Sequence, residues 1–152
     1  MKLVLACVGK LRAAAVRTLC EDYAGRLARY GSFELHECRD ARASSAADAA
    51  AEEGARLRAL TKPGDAIWVL DERGVQVDSP GLAKRLNDLE NRGVKRLVVL
   101  LGGAHGLDEA TRKAGTLWSL SKLTLPHELC RMLALEQLYR ARTIQRGEPY
   151  HH

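Results

Sequence analysis

The sequence predicts an α/β domain in which a mainly parallel sheet carries helices on both faces. Short apolar runs of strand length alternate along the chain with longer segments that have helical spacing. Strands separated by helices pair in parallel, and the helices then cover the faces of the sheet. No Ser/Gly linker, internal repeat or low-complexity segment interrupts this alternation, so we predict a single domain over residues 1–152.

Four apolar runs are expected to form the strands. The first, LVLACV, is shorter than the core of a signal peptide and no small-x-small cleavage site follows it, which favours a buried strand. The expected strands are residues 3–8, 33–38, 66–70 and 96–101.

No stretch approaches the roughly 18 apolar residues of a membrane span. We therefore expect a cytoplasmic protein that makes no membrane contact.

Four segments between and after these runs are expected to form helices, because their apolar residues recur at helical spacing. They are residues 12–30, 44–61, 80–92 and 127–142. The last is apolar nearly all round, which predicts a largely buried helix. Asp108 and Glu109 would favour the N-terminus of a further short helix through its dipole.

Composition narrows the class of protein. A content of 46% apolar and 28% charged residues is typical of a soluble globular chain and excludes a disordered or fibrous one. The net charge of +5 favours a polyanionic partner such as nucleic acid, although many metabolic enzymes are equally basic. The four cysteines form no C-x-x-C pair and have no histidine at zinc spacing, so we expect free thiols and no metal site.

A glycine-rich turn follows the fourth predicted strand, in the stretch LLGGAHGL at residues 100–107. It fails the dinucleotide fingerprint, because Leu101 occupies the first glycine position and no acid lies about 20 residues further on. It also does not match the motif of the phosphate-binding loop in nucleotide hydrolases, because no Gly-Lys-Ser/Thr follows. Two interpretations stay open: the glycines shape a tight turn, or they admit a ligand that has no phosphate.

A second loop, SLSKLTL, precedes the last predicted helix. Its three leucines either pack into the core or form the wall of a pocket for an apolar ligand such as an adenine ring. Pro126 suits the first helical turn, where its missing N–H costs nothing. His127 and Arg131 follow, four residues apart and therefore on one face of that helix. The chain then ends in Pro-Tyr-His-His at residues 149–152.

These motifs resemble the bacterial large-subunit rRNA pseudouridine N3-methyltransferases of the SPOUT class. LLGGAHGL, WSLSKLTLPHELCR and the terminal PYHH occur in the order and at the spacing of that family, and MKLVLACVGK, LDERG and LEQLYRA extend the likeness over the whole chain. The family usually ends in Tyr-His followed by Arg, whereas His152 takes the last position here. That departure puts in doubt whether a terminal cation is needed or a partly protonated histidine substitutes for it.

The resemblance implies a homodimer with a C-terminal trefoil knot that binds S-adenosylmethionine (SAM) in the knotted loops. The positively charged sulfur of SAM would suit the acidic surroundings of Asp108 and Glu109. Carried over to this sequence, the cofactor-binding residues are Leu70, Gly102, Gly103, Gly106, Leu120, Ser121, Lys122, Leu123, Thr124 and Leu125.

The implied reaction is methylation of N3 of a pseudouridine in 23S rRNA within the assembled ribosome. N3 carries a proton at neutral pH, so a base must remove it or its loss must be stabilised. The expected catalytic residues are His127, Arg131, Tyr150 and His151, with His151 favoured over His127 as the base and Arg131 binding phosphate or the uracil oxygens. Two alternatives stay open: a ribosome- or RNA-binding module without catalysis, and a SPOUT methyltransferase that acts on tRNA.

Overall fold

A computed structural model describes all 152 residues and contains one five-stranded sheet in which every strand pair is parallel. The strands lie in the order β2-β1-β4-β3-β5. The elements are β1 (Lys2–Val8), α1 (Ala14–Ala28), β2 (Phe33–Cys38), α2 (Ala46–Arg58), β3 (Ala66–Gln76), α3 (Ser79–Asn91), β4 (Arg96–Leu101), α4 (Glu109–Arg112), β5 (Thr116–Ser119) and α5 (His127–Gln145).

Helices cover both faces of the sheet, as the sequence predicts. Alternate residues of β1 point to opposite faces, which is the period of a strand. Leu3 and Leu5 join a core cluster that includes residues of α1, α3 and α5. Val4 and Val8 join a smaller cluster on the other face with Leu57 of α2. The last helix is buried along one face only, with Leu135 and Leu138 in the core and Leu129 exposed, so it is less buried than predicted. The trefoil knot stays a prediction.

The structure adds β5, which the sequence reading missed, and extends β3 six residues beyond its predicted end at Leu70. The extension pairs with β5 through a register shift, so that Leu70 and Val75 both face Trp118. Gly74 permits this approach, because a Cβ there would lie 2.7 Å from the backbone of Trp118. A four-residue strand is too short to show periodicity in the sequence.

Side-chain caps fix three of the five helices. Ser45, Asp78 and Asp108 precede α2, α3 and α4, and each accepts a hydrogen bond from the backbone N–H three residues on. The expected short helix after Asp108 is therefore confirmed. The N-cap of α1, Ala13, has no such side chain. Glu128 of α5 replaces it, since its carboxylate accepts from the backbone N–H of Arg12 at 2.6 Å and of Ala13 at 3.3 Å.

Three further features concern membrane-spanning helices, metal ligands and thiols. No helix combines the length and the apolar character that crossing a bilayer requires. No three His, Cys, Asp or Glu residues lie together as a metal site would need. The four cysteines are free thiols, and burial raises the pKa of Cys7 to about 12, so that this thiol stays protonated.

Candidate active site

A cleft lies at the carboxyl ends of β3 and β4, where ligands bind in parallel α/β sheets. Its volume is about 260 Å³, close to the roughly 300 Å³ at which small-molecule pockets begin. The glycine-rich turn forms one wall, and the loop from Leu120 to Leu125 forms the opposite one. The two stretches that the sequence singled out therefore face each other across one cavity.

The glycine wall exists because the chain passes very close to itself there. Gly103 and Gly106 form an isolated antiparallel bridge, and Gly106 adopts a φ of 75°, which favours glycine. A Cβ on Gly102 would lie 2.8 Å from the carbonyl oxygen of Gly106. A Cβ on Gly103 would lie 2.9 Å from the side chain of Val8, at the end of β1. The tight-turn interpretation is confirmed, and the turn also forms a wall of the cleft. That it admits a ligand without phosphate stays a prediction.

The opposite wall is apolar in its side chains and is held by serine hydroxyls. Ser119 Oγ donates to the carbonyl of Ser121 at 2.8 Å, and Ser121 Oγ accepts from the N–H of Leu123 at 3.0 Å. Leu123 is 73% exposed although it lines the cleft, which leaves an uncovered apolar surface at the mouth. Lys122 is exposed and does not line the cleft.

A carboxylate and two guanidinium groups lie at the end of β3 in the same cleft. Asp71 accepts from Arg112 at 2.7 Å and from Arg73 at 3.1 Å. Burial by itself would raise the pKa of Asp71, but the hydrogen bonds from Arg112 and Arg73 outweigh it and lower the pKa below its ordinary value. Glu72 lies beside them and accepts from Thr124 Oγ1 at 3.1 Å. Asp71 therefore forms ion pairs with both cations of the cleft.

This arrangement corrects the expectation that Asp108 and Glu109 supply the acidic surroundings of the cofactor. Neither residue lines the cleft. Asp108 instead caps α4 and pairs with Arg58 of α2 at 2.9 Å. Its pKa is lowered: burial opposes the shift, and the hydrogen bonds from Thr111 and Arg58 outweigh it. The carboxylates at the cleft are those of Asp71 and Glu72.

Of the four expected catalytic residues, only His127 lines the cleft. Arg131 differs from its expected placement, because its side chain is only 1% exposed and does not reach the cavity. Its guanidinium donates to Glu37 Oε1 at 2.6 Å, to the carbonyl of Val8 at 3.0 Å and to that of Gly9 at 2.7 Å. Arg131 thus holds the end of β1 against α5.

Tyr150 and His151 lie away from the cleft of their own chain. The Tyr150 hydroxyl lies 3.2 Å from that of Tyr23 and donates to Glu136 at 3.1 Å. Glu136 is nine residues along α5 from His127, a distance of about 13 Å at the rise of an α-helix. Burial and the Tyr23 hydrogen bond raise the pKa of Tyr150, so its phenol stays neutral. His151 is exposed at the chain end.

Nine expected cofactor residues line the cleft, all except Lys122. Sequence reasoning missed other wall residues that come from the same stretches. These are Leu101 and Leu107 of the glycine turn, Asp71, Glu72 and Arg73 within β3, Arg112 of α4, and Cys130 of α5. The stretch LDERG was part of the family likeness and contains three of them. No sequence motif marks Arg112 as a cleft residue, because α4 comes close to β3 only in the folded chain.

A parallel α/β fold with a glycine-walled cleft at the carboxyl end of β4 has the arrangement in which α/β proteins bind small molecules. A family model described as "Predicted SPOUT methyltransferase" matches residues 1–151. The chain belongs to the SPOUT methyltransferase family.

Relatives of known name cover the same length. The chain is 43% identical over 152 residues to "Ribosomal RNA large subunit methyltransferase H" of Pelobacter propionicus, with all of both chains covered. It is 45% identical over 153 residues to the protein of the same name in Gloeobacter violaceus, covering 100% of this chain and 99% of that one. Among solved structures, TrmJ from Z. mobilis ZM4 is similar with a TM-score of 0.48 and 10% identity, covering 94% of this chain and 70% of that one. That likeness is too remote to add to the assignment.

Proposed function

We propose that the chain is a SAM-dependent methyltransferase that modifies N3 of a pseudouridine in 23S rRNA within the assembled ribosome. Membership of the family supplies the reaction class, and the names of the relatives point to large-subunit rRNA. The observation that carries the proposal is the cleft itself, in which the glycine turn and the loop from Leu120 to Leu125 face each other beside His127. Such an enzyme would act where ribosomes are, in the cytoplasm.

The residues of the cleft fit SAM. Apolar side chains such as Leu101 and Leu125 offer a slot for the adenine ring, and the backbone of the loops supplies hydrogen-bonding groups. Glu72, whose carboxylate accepts only from Thr124 Oγ1, suits a ligand that carries positive charge on sulfur and on an amino group.

SAM supplies an electrophilic methyl group, and the chain must orient the acceptor nitrogen and dispose of its proton. His127 is the one imidazole of this chain at the cleft, at the first residue of α5. Its position allows it to hydrogen-bond the target nucleobase or to accept a proton near the reacting atoms. Arg131 acts as a positioning residue, because it ties α5 to the end of β1 without reaching the cleft.

Tyr150 and His151 fit this reaction only if a second copy of the chain presents them. We propose a homodimer in which the C-terminal tail of one copy reaches the cleft of the other, where His151 serves as the base. Exposed leucines on α1 and α5, Leu19 at 46% and Leu129 at 39%, give these helices an apolar surface for such a contact.

Co-expression of two inactive variants tests the tail. One variant carries Gly103→Val and an intact tail; the other lacks residues 150–152 and has an intact cleft. If the tail acts across the dimer, mixed dimers hold one complete site and recover about a quarter of the methyl transfer of the unmodified enzyme. If the tail acts on its own chain, no mixture recovers activity.

Calorimetry with SAM tests the cofactor, with one binding site per chain expected and no binding contradicting the proposal. Labelled SAM then separates the remaining alternatives. Transfer to ribosomes supports the proposal, transfer to tRNA alone favours a tRNA methyltransferase, and ribosome binding without transfer favours a module without catalysis.

A further inference from the structure

Two neighbouring loops carry exposed cations that have no acidic partner. The loop after β1 contains Lys10 and Arg12, and the loop after β2 contains Arg39 and Arg42. All four side chains are exposed, and none takes part in an ion pair. We call these four residues the basic edge. The unpaired charges leave a positive field at the carboxyl ends of β1 and β2.

The two loops are fixed to each other. The N–H of Gly9 donates to the carbonyl of Cys38 at 2.9 Å. A Cβ on Gly9 would lie 2.6 Å from Asp40 Oδ1, so the loops are in direct contact. Arg56 of α2 donates to the carbonyls of Arg39 at 2.8 Å and Asp40 at 3.1 Å. These hydrogen bonds fix the backbone of both loops that carry the basic edge.

Three acids lie beside the basic edge, of which Glu37 and Glu128 are engaged elsewhere and Glu21 lines a surface groove with Lys10. Glu37 pairs with the buried guanidinium of Arg131 at 2.6 Å. Glu128 accepts from backbone N–H groups at the start of α1, and these hydrogen bonds hold its pKa below the ordinary value. Asp40 is the one carboxylate within the two loops themselves. The two loops therefore carry four cations and one carboxylate, which leaves them with a net positive charge.

The basic edge adjoins the cleft through two contacts. Gly103 of the cleft wall packs on Val8, two residues before Lys10. Glu128 binds the backbone of Arg12 and follows His127, which lines the cleft. If the target nucleotide is presented at the mouth of the cleft, the nucleotides that flank it in the RNA therefore lie beside these cations.

We propose that the basic edge binds the phosphate backbone of the RNA that flanks the target nucleotide. Three of its four cations are arginines, whose planar guanidinium matches phosphate oxygens. Backbone contacts of this kind supply affinity and register without reading sequence. The inference rests on the proposed function and adds to it which face of the molecule meets the RNA.

Two double variants test it, Lys10→Gln with Arg12→Gln and Arg39→Gln with Arg42→Gln. The matched control is Lys62→Gln with Lys95→Gln, since both lysines are exposed and unpaired and precede β3 and β4, at the opposite end of the sheet. Binding to 70S ribosomes and to deproteinised 23S rRNA is measured against salt, and SAM binding by calorimetry.

Each double variant should bind both probes about tenfold more weakly near 0.1 M salt, with a log-log salt slope smaller by about 1–2. SAM affinity and the control variant should match the unmodified protein. Equal loss in the control would overturn the inference, as would no loss in the variants. Loss on ribosomes but not on deproteinised rRNA would overturn it in favour of an acidic protein partner. Failure of the proposed function is distinguished from failure of this inference by methyl transfer, because the unmodified protein would then transfer no methyl group to ribosomes.

Discussion

The buried carboxylate of Glu53 lies against Gly103, the glycine at the centre of the cleft wall. A Cβ on Gly103 would come within 3.1 Å of Glu53 Oε2. The other oxygen, Oε1, accepts from the N–H of Ala41 in the loop after β2 at 2.9 Å. Glu53 thereby connects the cleft wall to the loop that carries Arg39 and Arg42, although it is only 2% exposed and does not itself line the cleft.

Enlarging Gly103 should distort the glycine wall of the cleft. In Gly103→Val the Cβ would lie 2.9 Å from Val8 and 3.1 Å from Glu53 Oε2, both of which are buried, so the glycine turn must shift and we expect SAM affinity to fall at least about tenfold. Calorimetry measures it. Gly25→Ala is the control, since a Cβ there meets nothing within 4 Å and its SAM affinity should not change. Unchanged affinity in Gly103→Val would place the cofactor elsewhere.

Glu53 should matter through its hydrogen bond rather than through its charge. Its Oε2 is buried without a partner. Glu53→Ala leaves the N–H of Ala41 without its acceptor and should cost about 1–3 kcal/mol of unfolding free energy. Glu53→Gln keeps the acceptor and should cost clearly less. Urea unfolding compares the two, and a glutamine variant as unstable as the alanine variant would contradict this explanation.

Removing Arg131 should destabilise the fold strongly. Arg131→Met keeps much of the volume but leaves Glu37 and the carbonyls of Val8 and Gly9 without their donor, so we expect a loss of about 3 kcal/mol or more. Lys84→Met breaks an exposed pair with Asp88 and should cost under about 1 kcal/mol. Similar losses in the two variants, measured in urea, would show that Arg131 does not hold β1 to α5.

Asp71 should make the protein sensitive to acid. Its pKa is lowered in the folded state, so the unfolded chain binds a proton first as the pH falls. The stabilisation is complete above the ordinary pKa of 3.8 and is lost as the pH falls through the lower native value. Asp71→Asn should therefore flatten the decline of unfolding free energy between about pH 5 and pH 2. Parallel curves for the two proteins would contradict the assignment.

Much of the fold follows from periodicity. Strands 33–38 and 96–101 are predicted to the residue, because each is an apolar run between clear turns. β5 and the second half of β3 are not, because they are stabilised by each other across distant parts of the chain. Such pairing leaves no local pattern to find.

The site was predicted from two stretches that only together indicate a cleft. Predicting that they lie opposite each other would require the order of the strands in the sheet, which the spacing of residues in the sequence does not give. Arg131 shows the limit of helical-face reasoning: it shares a face with His127, yet one side chain ends at the cavity and the other under β1. Tyr150 shows another limit, since its partners Tyr23 and Glu136 lie on two different helices.

The proposed reaction is methyl transfer to N3 of a pseudouridine in 23S rRNA. The direct measurement incubates the protein with SAM that carries a deuterated methyl group and with 70S ribosomes that lack the modification, followed by mass spectrometry of the 23S rRNA nucleosides. We predict deuterated 3-methylpseudouridine that is absent with Gly103→Val. No labelled nucleoside, or a label on another atom or RNA, would contradict the claim.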